Sequence, residues 1–170
     1  EIVAEYVNDL LDDGAWHFLA RRNIFLYPKR GVAHSIAANF PRIQSATLHL
    51  KTVLATELVV QIEERKAFSK WCGEPGEARV CYWMDEQGFI FAEVAADEAG
   101  ANVYIFSKGL SEAGAWPIGA IFAPTHVPGL IAMIGYLEQA DFHPTEVSIE
   151  DAQDFYVHLR EGFFVKASYG

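Results

Sequence analysis

The residues of this 170-residue chain with the widest chemical range are six histidines: His17, His34, His49, His126, His143 and His158. None stands at the His-x-x-x-His spacing that puts two imidazoles on one helix face, and none is clustered with cysteines as a zinc site requires. The spacing therefore predicts no metal site. Ser69-Lys70 and Ser107-Lys108 are adjacent pairs, whereas an amine activating a serine on a helix needs two residues between them. The acid pairs Asp12-Asp13, Asp85-Glu86, Asp97-Glu98 and Glu150-Asp151 fall at element ends or turns, where solvated carboxylates are ordinary. With no glycine-rich phosphate cradle ahead of a helix, the chain reads as a non-enzyme with no cofactor and no small-molecule substrate.

Cys72 and Cys81 are the chain's only cysteines. They flank a turn cluster, Gly73-Glu74-Pro75-Gly76, between two strand-like segments, and could face each other on neighbouring strands. In an oxidising compartment they would form a disulfide; in a reducing one they would be two buried thiols.

The elements that must position these residues follow from periodicity. Val3, Tyr6, Val7, Leu10 and Leu11 make one apolar helical stripe, which Gly14 ends. Ala15 to Tyr27 suits extended chain. A second helix spans Val32 to Asn39, stopped by Pro41, with Val32, Ile36 and Phe40 on one side. Ser45 to Lys51 is a strand with Ala46, Leu48 and Leu50 facing inward.

The clearest strand opens at Leu58, where Leu58, Val60 and Ile62 alternate with Val59, Gln61 and Glu63. After Glu64-Arg65-Lys66 the apolar signal resumes at Ala67, Phe68 and Trp71, so the chain leaves one core for another. Residues 1–66 form one module and 67–170 a second, with Arg65, Lys66 and Ala67 as the hinge. Two strands cover two helices poorly, so a third strand is expected ahead of residue 1.

Strands are expected over 68–72, 80–84, 89–91 and 102–106, with turns at Asp85-Glu86-Gln87-Gly88 and Lys108-Gly109. Residues 114–124 fit no period, and Trp116-Pro117 argues against a central strand. Pro128 to Gln139 is a helix capped by Thr125, with Leu130, Ile131, Ile134 and Leu137 on one face. Glu146 to Ile149, Phe155 to Arg160 and Phe163 to Tyr169 are the last strands, the final two joined across Glu161-Gly162. The fold class is α+β: a small helix-and-sheet module, then a mostly antiparallel β domain carrying one helix.

An apolar content of 51% supports real cores, and no run reaches the roughly 18–20 apolar residues of a membrane span. The chain reads as a soluble piece of a longer protein. A net charge of −10 argues against nucleic acid as partner. Residues 14–56 are the exception, holding Arg21, Arg22, Lys29, Arg30, Arg42 and Lys51 and no acid. That segment is a candidate surface for anionic headgroups or an acidic partner, or simply a solvated face.

The order of these pieces resembles the FtsQ/DivIB family of bacterial cell-division proteins, a POTRA module followed by a β domain. The resemblance rests on Asn23-Ile24-Phe25-Leu26-Tyr27, on Asn39-Phe40-Pro41-Arg42-Ile43 ahead of a strand, and on Glu64-Arg65 with Trp71 six residues on. Met84 to Phe91 resembles the family's Asp-x-x-Gly turn, and Phe155 to Gly170 its late hairpin. Ala67 departs from it, standing where the family usually has proline.

The resemblance implies a single-span membrane protein with these modules outside the cytoplasm, reached through an upstream helix. It also implies the Cys72–Cys81 disulfide and a membrane-proximal basic surface at Arg21, Arg22, Lys29 and Arg30. Further expectations are a helix and strand after Gly170 and no catalysis. The implied partners are divisome membrane proteins (FtsB/FtsL-like), held by strand addition, with Phe163, Phe164, Val165, Lys166 and Tyr169 as candidate edge. The alternatives are a POTRA protein of outer-membrane insertion or secretion, and an extracytoplasmic enzyme using the β domain as a cleft.

Overall fold

The computed structural model describes residues 2–12, 29–52, 57–73, 80–98, 103–109, 116–151 and 154–169. The extended stretch expected over 15–27, with Arg21 and Arg22, lies outside them. The fold is α+β, and the chain separates into two units, Glu1–Arg65 and Lys66–Gly170.

In the first unit, helix α1 (Ile2–Asp12) and helix α2 (Lys29–Asn39) lie against strands β1 (Ile43–Leu50) and β2 (Leu58–Glu64), which pair antiparallel. The α1 stripe does what its spacing dictates: Val7 is buried, and Val3, Tyr6 and Leu10 pack around a cluster of Val32, Ile36, Ile43 and Leu48. Helix α2 begins at Lys29, three residues earlier than Val32, and takes in Gly31 despite that residue's poor helix propensity. The two helices are joined by polar contacts as well. Tyr6 Oη lies 2.7 Å from Ser35 Oγ, and Asn39 Nδ2 donates to Tyr6 Oη at 2.7 Å. Arg65 N–H donates to the Arg42 carbonyl and its Nε to the Pro41 carbonyl, so Arg65 belongs to this unit.

The second unit is a seven-stranded sheet of β3 (Ser69–Trp71), β4 (Tyr82–Met84), β5 (Ile90–Glu93), β6 (Ile105–Ser107), β7 (Pro144–Ile149), β8 (Asp154–Leu159) and β9 (Phe164–Ser168). Its order is β5-β4-β3-β6-β7-β8-β9. Most pairs are antiparallel, but β3–β6 and β6–β7 run parallel. A parallel neighbour needs a crossover, and helix α3 (Val127–Gln139) supplies the one between β6 and β7. Leu130 and Ile134 of α3 are buried with Phe106, Phe122, Val147, Phe155 and Val157, which makes this face of the sheet the core. The Tyr104 hydroxyl donates to Glu138 near the end of α3, and burial together with that carboxylate pushes the phenol up to about 12.

Helix α3 is not capped by Thr125. His126 takes the cap position without a side-chain cap bond, and Pro128 stands in the first turn. The Ala123 carbonyl instead accepts from both His126 N and Val127 N, which tightens the chain into the helix.

The stretch that fitted no period, 117–122, runs along β5 as a strap. Ile90 N donates to Ala120 O at 3.0 Å, and Gly119 N donates to Ile90 O at 2.8 Å. Phe122 N then reaches Gly88 O at 2.8 Å. Its buried anchor is Phe122, edge-to-face with Phe106 at 5.2 Å.

Candidate functional site

Strands β8 and β9 form a hairpin whose three-residue loop, Arg160 to Gly162, fixes everything that follows. Gly162 sits at φ 88°, where a side chain would be strained, and its N–H returns to Leu159 O. Leu159 N then bonds Phe163 O at 3.0 Å, which makes Leu159–Phe163 a hydrogen-bonded pair. Antiparallel pairs alternate, so Val157–Val165 and Phe155–Ala167 also exchange bonds. In the intervening pairs, His158–Phe164, Tyr156–Lys166 and Asp154–Ser168, the β9 backbone groups point away from β8. The outer edge of β9 therefore presents the N–H and C=O groups of Phe164, Lys166 and Ser168. Among the described residues no strand pairs with it.

The same parity sorts the side chains. Val165, Ala167 and Tyr169 lean on the core beside α3, while Phe164, Lys166 and Ser168 stand on the other face. There Phe164, 57% exposed, meets Tyr156 edge-to-face at 5.3 Å and His158 at 6.0 Å. Lys166 lies 2.8 Å from Asp154 and 5.6 Å over the Tyr156 ring. Ser168 donates to the same carboxylate at 2.6 Å. Bonds from Lys166 and Ser168 hold the Asp154 carboxyl below its ordinary range, and that carboxylate raises the Lys166 ammonium.

The five residues singled out as a partner-binding edge thus divide. Phe164 and Lys166 offer backbone groups outward, whereas Phe163 and Val165 bond to β8. Tyr169 lies past the strand, its ring stacked 3.6 Å from His126 and 4.8 Å from Phe155. Its hydroxyl is buried with no partner among the described residues, and burial pushes it up to about 12. Ser168, with Tyr156 and His158 behind Phe164, was not singled out. The signal for all three was the two-residue period of β8 and β9 once the loop length is known.

Cys72 and Cys81 are joined by a disulfide at the end of β3 and the approach to β4. Around it the Cys72 N–H reaches Phe106 O and the Val94 N–H reaches Cys81 O, both at 2.9 Å. The bridge thus ties the antiparallel meander to the parallel centre of the sheet.

The remaining candidates are dispersed. Lys29 and Arg30 are exposed at the start of α2, and Lys66 and Ala67 are exposed at the start of the second unit. Ser69 and Lys70 project to opposite faces of β3, as neighbours on a strand must. Lys70 is buried, donating to Glu98 O at 3.0 Å with its ammonium 5.1 Å from the Trp83 ring. Ser107 donates to Glu146 at 2.8 Å. His143 lies 2.6 Å from Glu161, and His158 is 3.3 Å from Ser148. Among the described residues no three of His, Cys, Asp and Glu gather as a metal site, and no helix is long and apolar enough to cross a membrane.

No protein-family description matches the chain, and no curated protein matches it.

Proposed function

We infer that this chain is the extracytoplasmic part of a single-span membrane protein of the divisome, a non-enzymatic scaffold that holds other division proteins by strand addition and surface contacts. The carrying observation is the asymmetry of the second sheet. The start of its β5 side, from Gly88 to Ile90, is bonded by the strap at 117–122, while its β9 side shows outward backbone groups beside an exposed aromatic. An edge strand left in this form is a template for another strand, and proteins normally blunt such edges. The disulfide fits an oxidising compartment, and the order of helices and strands fits the resemblance to FtsQ/DivIB proteins.

The test uses Lys166→Pro. The Lys166 N–H points away from β8, so proline there removes an outward donor and leaves the β8–β9 bonds in place; an edge strand accepts it. Wild type, Lys166→Ala and Lys166→Pro are titrated with the extracytoplasmic segments of small bitopic coiled-coil division proteins from the same cell. Wild type binds, as does Lys166→Ala, which gives up the same ion pair with Asp154 but keeps the N–H; Lys166→Pro loses at least about tenfold in affinity relative to Lys166→Ala. No binding by wild type to any of these segments would sink the scaffold reading; equal binding by Lys166→Ala and Lys166→Pro would move the interaction off β9.

A further inference from the structure

The outer edge of β9 is complementary to itself, and we propose that two copies of this chain pair antiparallel through it in one register, with Val165 on the two-fold axis. The proposal stands on the geometry of the edge and not on the divisome reading.

Only residues whose backbone faces outward can bond across such a dimer, so the bonded pairs are drawn from Phe164, Lys166 and Ser168. Few registers do this. With Lys166 on the axis, two ammonium groups lie directly opposite each other, an arrangement that destabilises a sheet. With Phe164 on the axis, Phe164 can pair only with its own copy and Lys166 faces Gly162 in the hairpin turn; with Ala167 there, Lys166 faces Ser168 and the Phe164 ring meets no cation.

Placing Val165 on the axis sets Phe164 of each copy opposite Lys166 of the other, and each of these two pairs exchanges both its backbone bonds, while Ser168 falls opposite the Gly162 turn. A two-fold axis perpendicular to the sheet keeps like faces together. On the open face the exposed Phe164 ring meets the other copy's ammonium, the cation-on-ring contact that Lys166 already makes with Tyr156. On the helix side, Val165 meets Val165 and Phe163 meets Ala167, all apolar.

Residues 66–170 carry 15 acids against 6 bases, so the copies repel at long range and added salt strengthens the pairing. Edge pairing buries less than a standard interface of about 1,600 Å². The dimer is accordingly weak, populated at roughly 0.1–1 mM.

Sedimentation of the 170-residue chain from about 10 µM to 1 mM reads the association, and single cysteines read the register. Both native cysteines are engaged in the disulfide, so an added thiol reports alone. Residues opposite each other in a non-hydrogen-bonded pair have Cα atoms about 4.5 Å apart, within disulfide reach. We expect a monomer–dimer equilibrium that Lys166→Pro abolishes. Under mild oxidation Val165→Cys should cross-link at least tenfold faster than Lys166→Cys or the exposed helix control Ala132→Cys. Three outcomes overturn the proposal: a monomer throughout, association of Lys166→Pro equal to wild type, or cross-linking of Val165→Cys no faster than the control. A monomeric wild type that still binds division proteins through β9 would end the dimer and leave the scaffold standing.

Discussion

Lys166 Nζ lies 2.8 Å from Asp154 Oδ2 across the β8–β9 pair, and this ion pair sits on the strand nearest the open edge. Because the Asp154 carboxyl is held below its ordinary value of 3.8, its contribution is fully present above that value and is lost as pH falls through the lowered folded value. Lys166 is raised above 10.5, so its contribution is present below 10.5 and is lost as pH rises through the raised value. Asp154→Asn should therefore lower the melting temperature across the interval from about 4 to about 10, and the two melting curves should converge on acidification. A gap between wild type and variant that persists unchanged at about pH 2 would show that the ion pair is not its source.

The disulfide closes a short loop, with a sequence separation of 9 between its cysteines. Chain-entropy arguments assign such a closure about 2–3 kcal/mol. The double substitution Cys72→Ala, Cys81→Ala should cost that much in urea unfolding of the second unit. Intact mass with and without reductant should differ by the two hydrogens of the opened bridge; an unchanged mass means there was no bridge to open.

At the β4–β5 turn, Asp85 Oδ1 accepts from Gln87 N at 2.9 Å and from Phe89 N at 3.0 Å while almost wholly buried. Asp85→Ala strands these donors and should destabilise the second unit by about 1–3 kcal/mol. Gly88 closes the same turn at φ 82°, and a Cβ there would stand 2.8 Å from Phe122 O and from Val127 Cγ2. Gly88→Ala should cost at least as much as Asp85→Ala. Chemical denaturation of the two variants measures both, and wild-type midpoints would contradict this account of the turn.

Local pattern carried the first unit and the last two strands. The α1 stripe of Val3, Tyr6, Val7 and Leu10 and the hairpin closed by Gly162 each involve neighbours within one turn or one loop, where spacing alone decides the face; the alternation from Leu58 holds for Leu58 and Val60, which pack on the core, but not for Ile62, which is exposed. The parallel pairs could not be read in this way. Lys70 pairs with Ile105 and Ile105 with Glu146, partners that no local period brings together. Residues 117–122 fit no period because they open with a turn, Ala120 N donating to Pro117 O, and bond to β5 and its approach only at Ile90 and Gly88, too short a run to show a repeat. At the candidate edge the apolar residues were visible in the sequence. Which backbone groups point outward was not, because that parity depends on a hydrogen bond at Leu159 and Phe163.

The strap along β5 has a consequence for assembly. A sheet with two open margins can be extended from both and so can grow into a fibre, as exposed edges commonly do. Here the strap bonds the start of one margin of the second sheet, at Gly88 and Ile90, which hinders extension from that side. Two copies joined at β9 about a two-fold axis use up that edge on both, so pairing there closes instead of continuing.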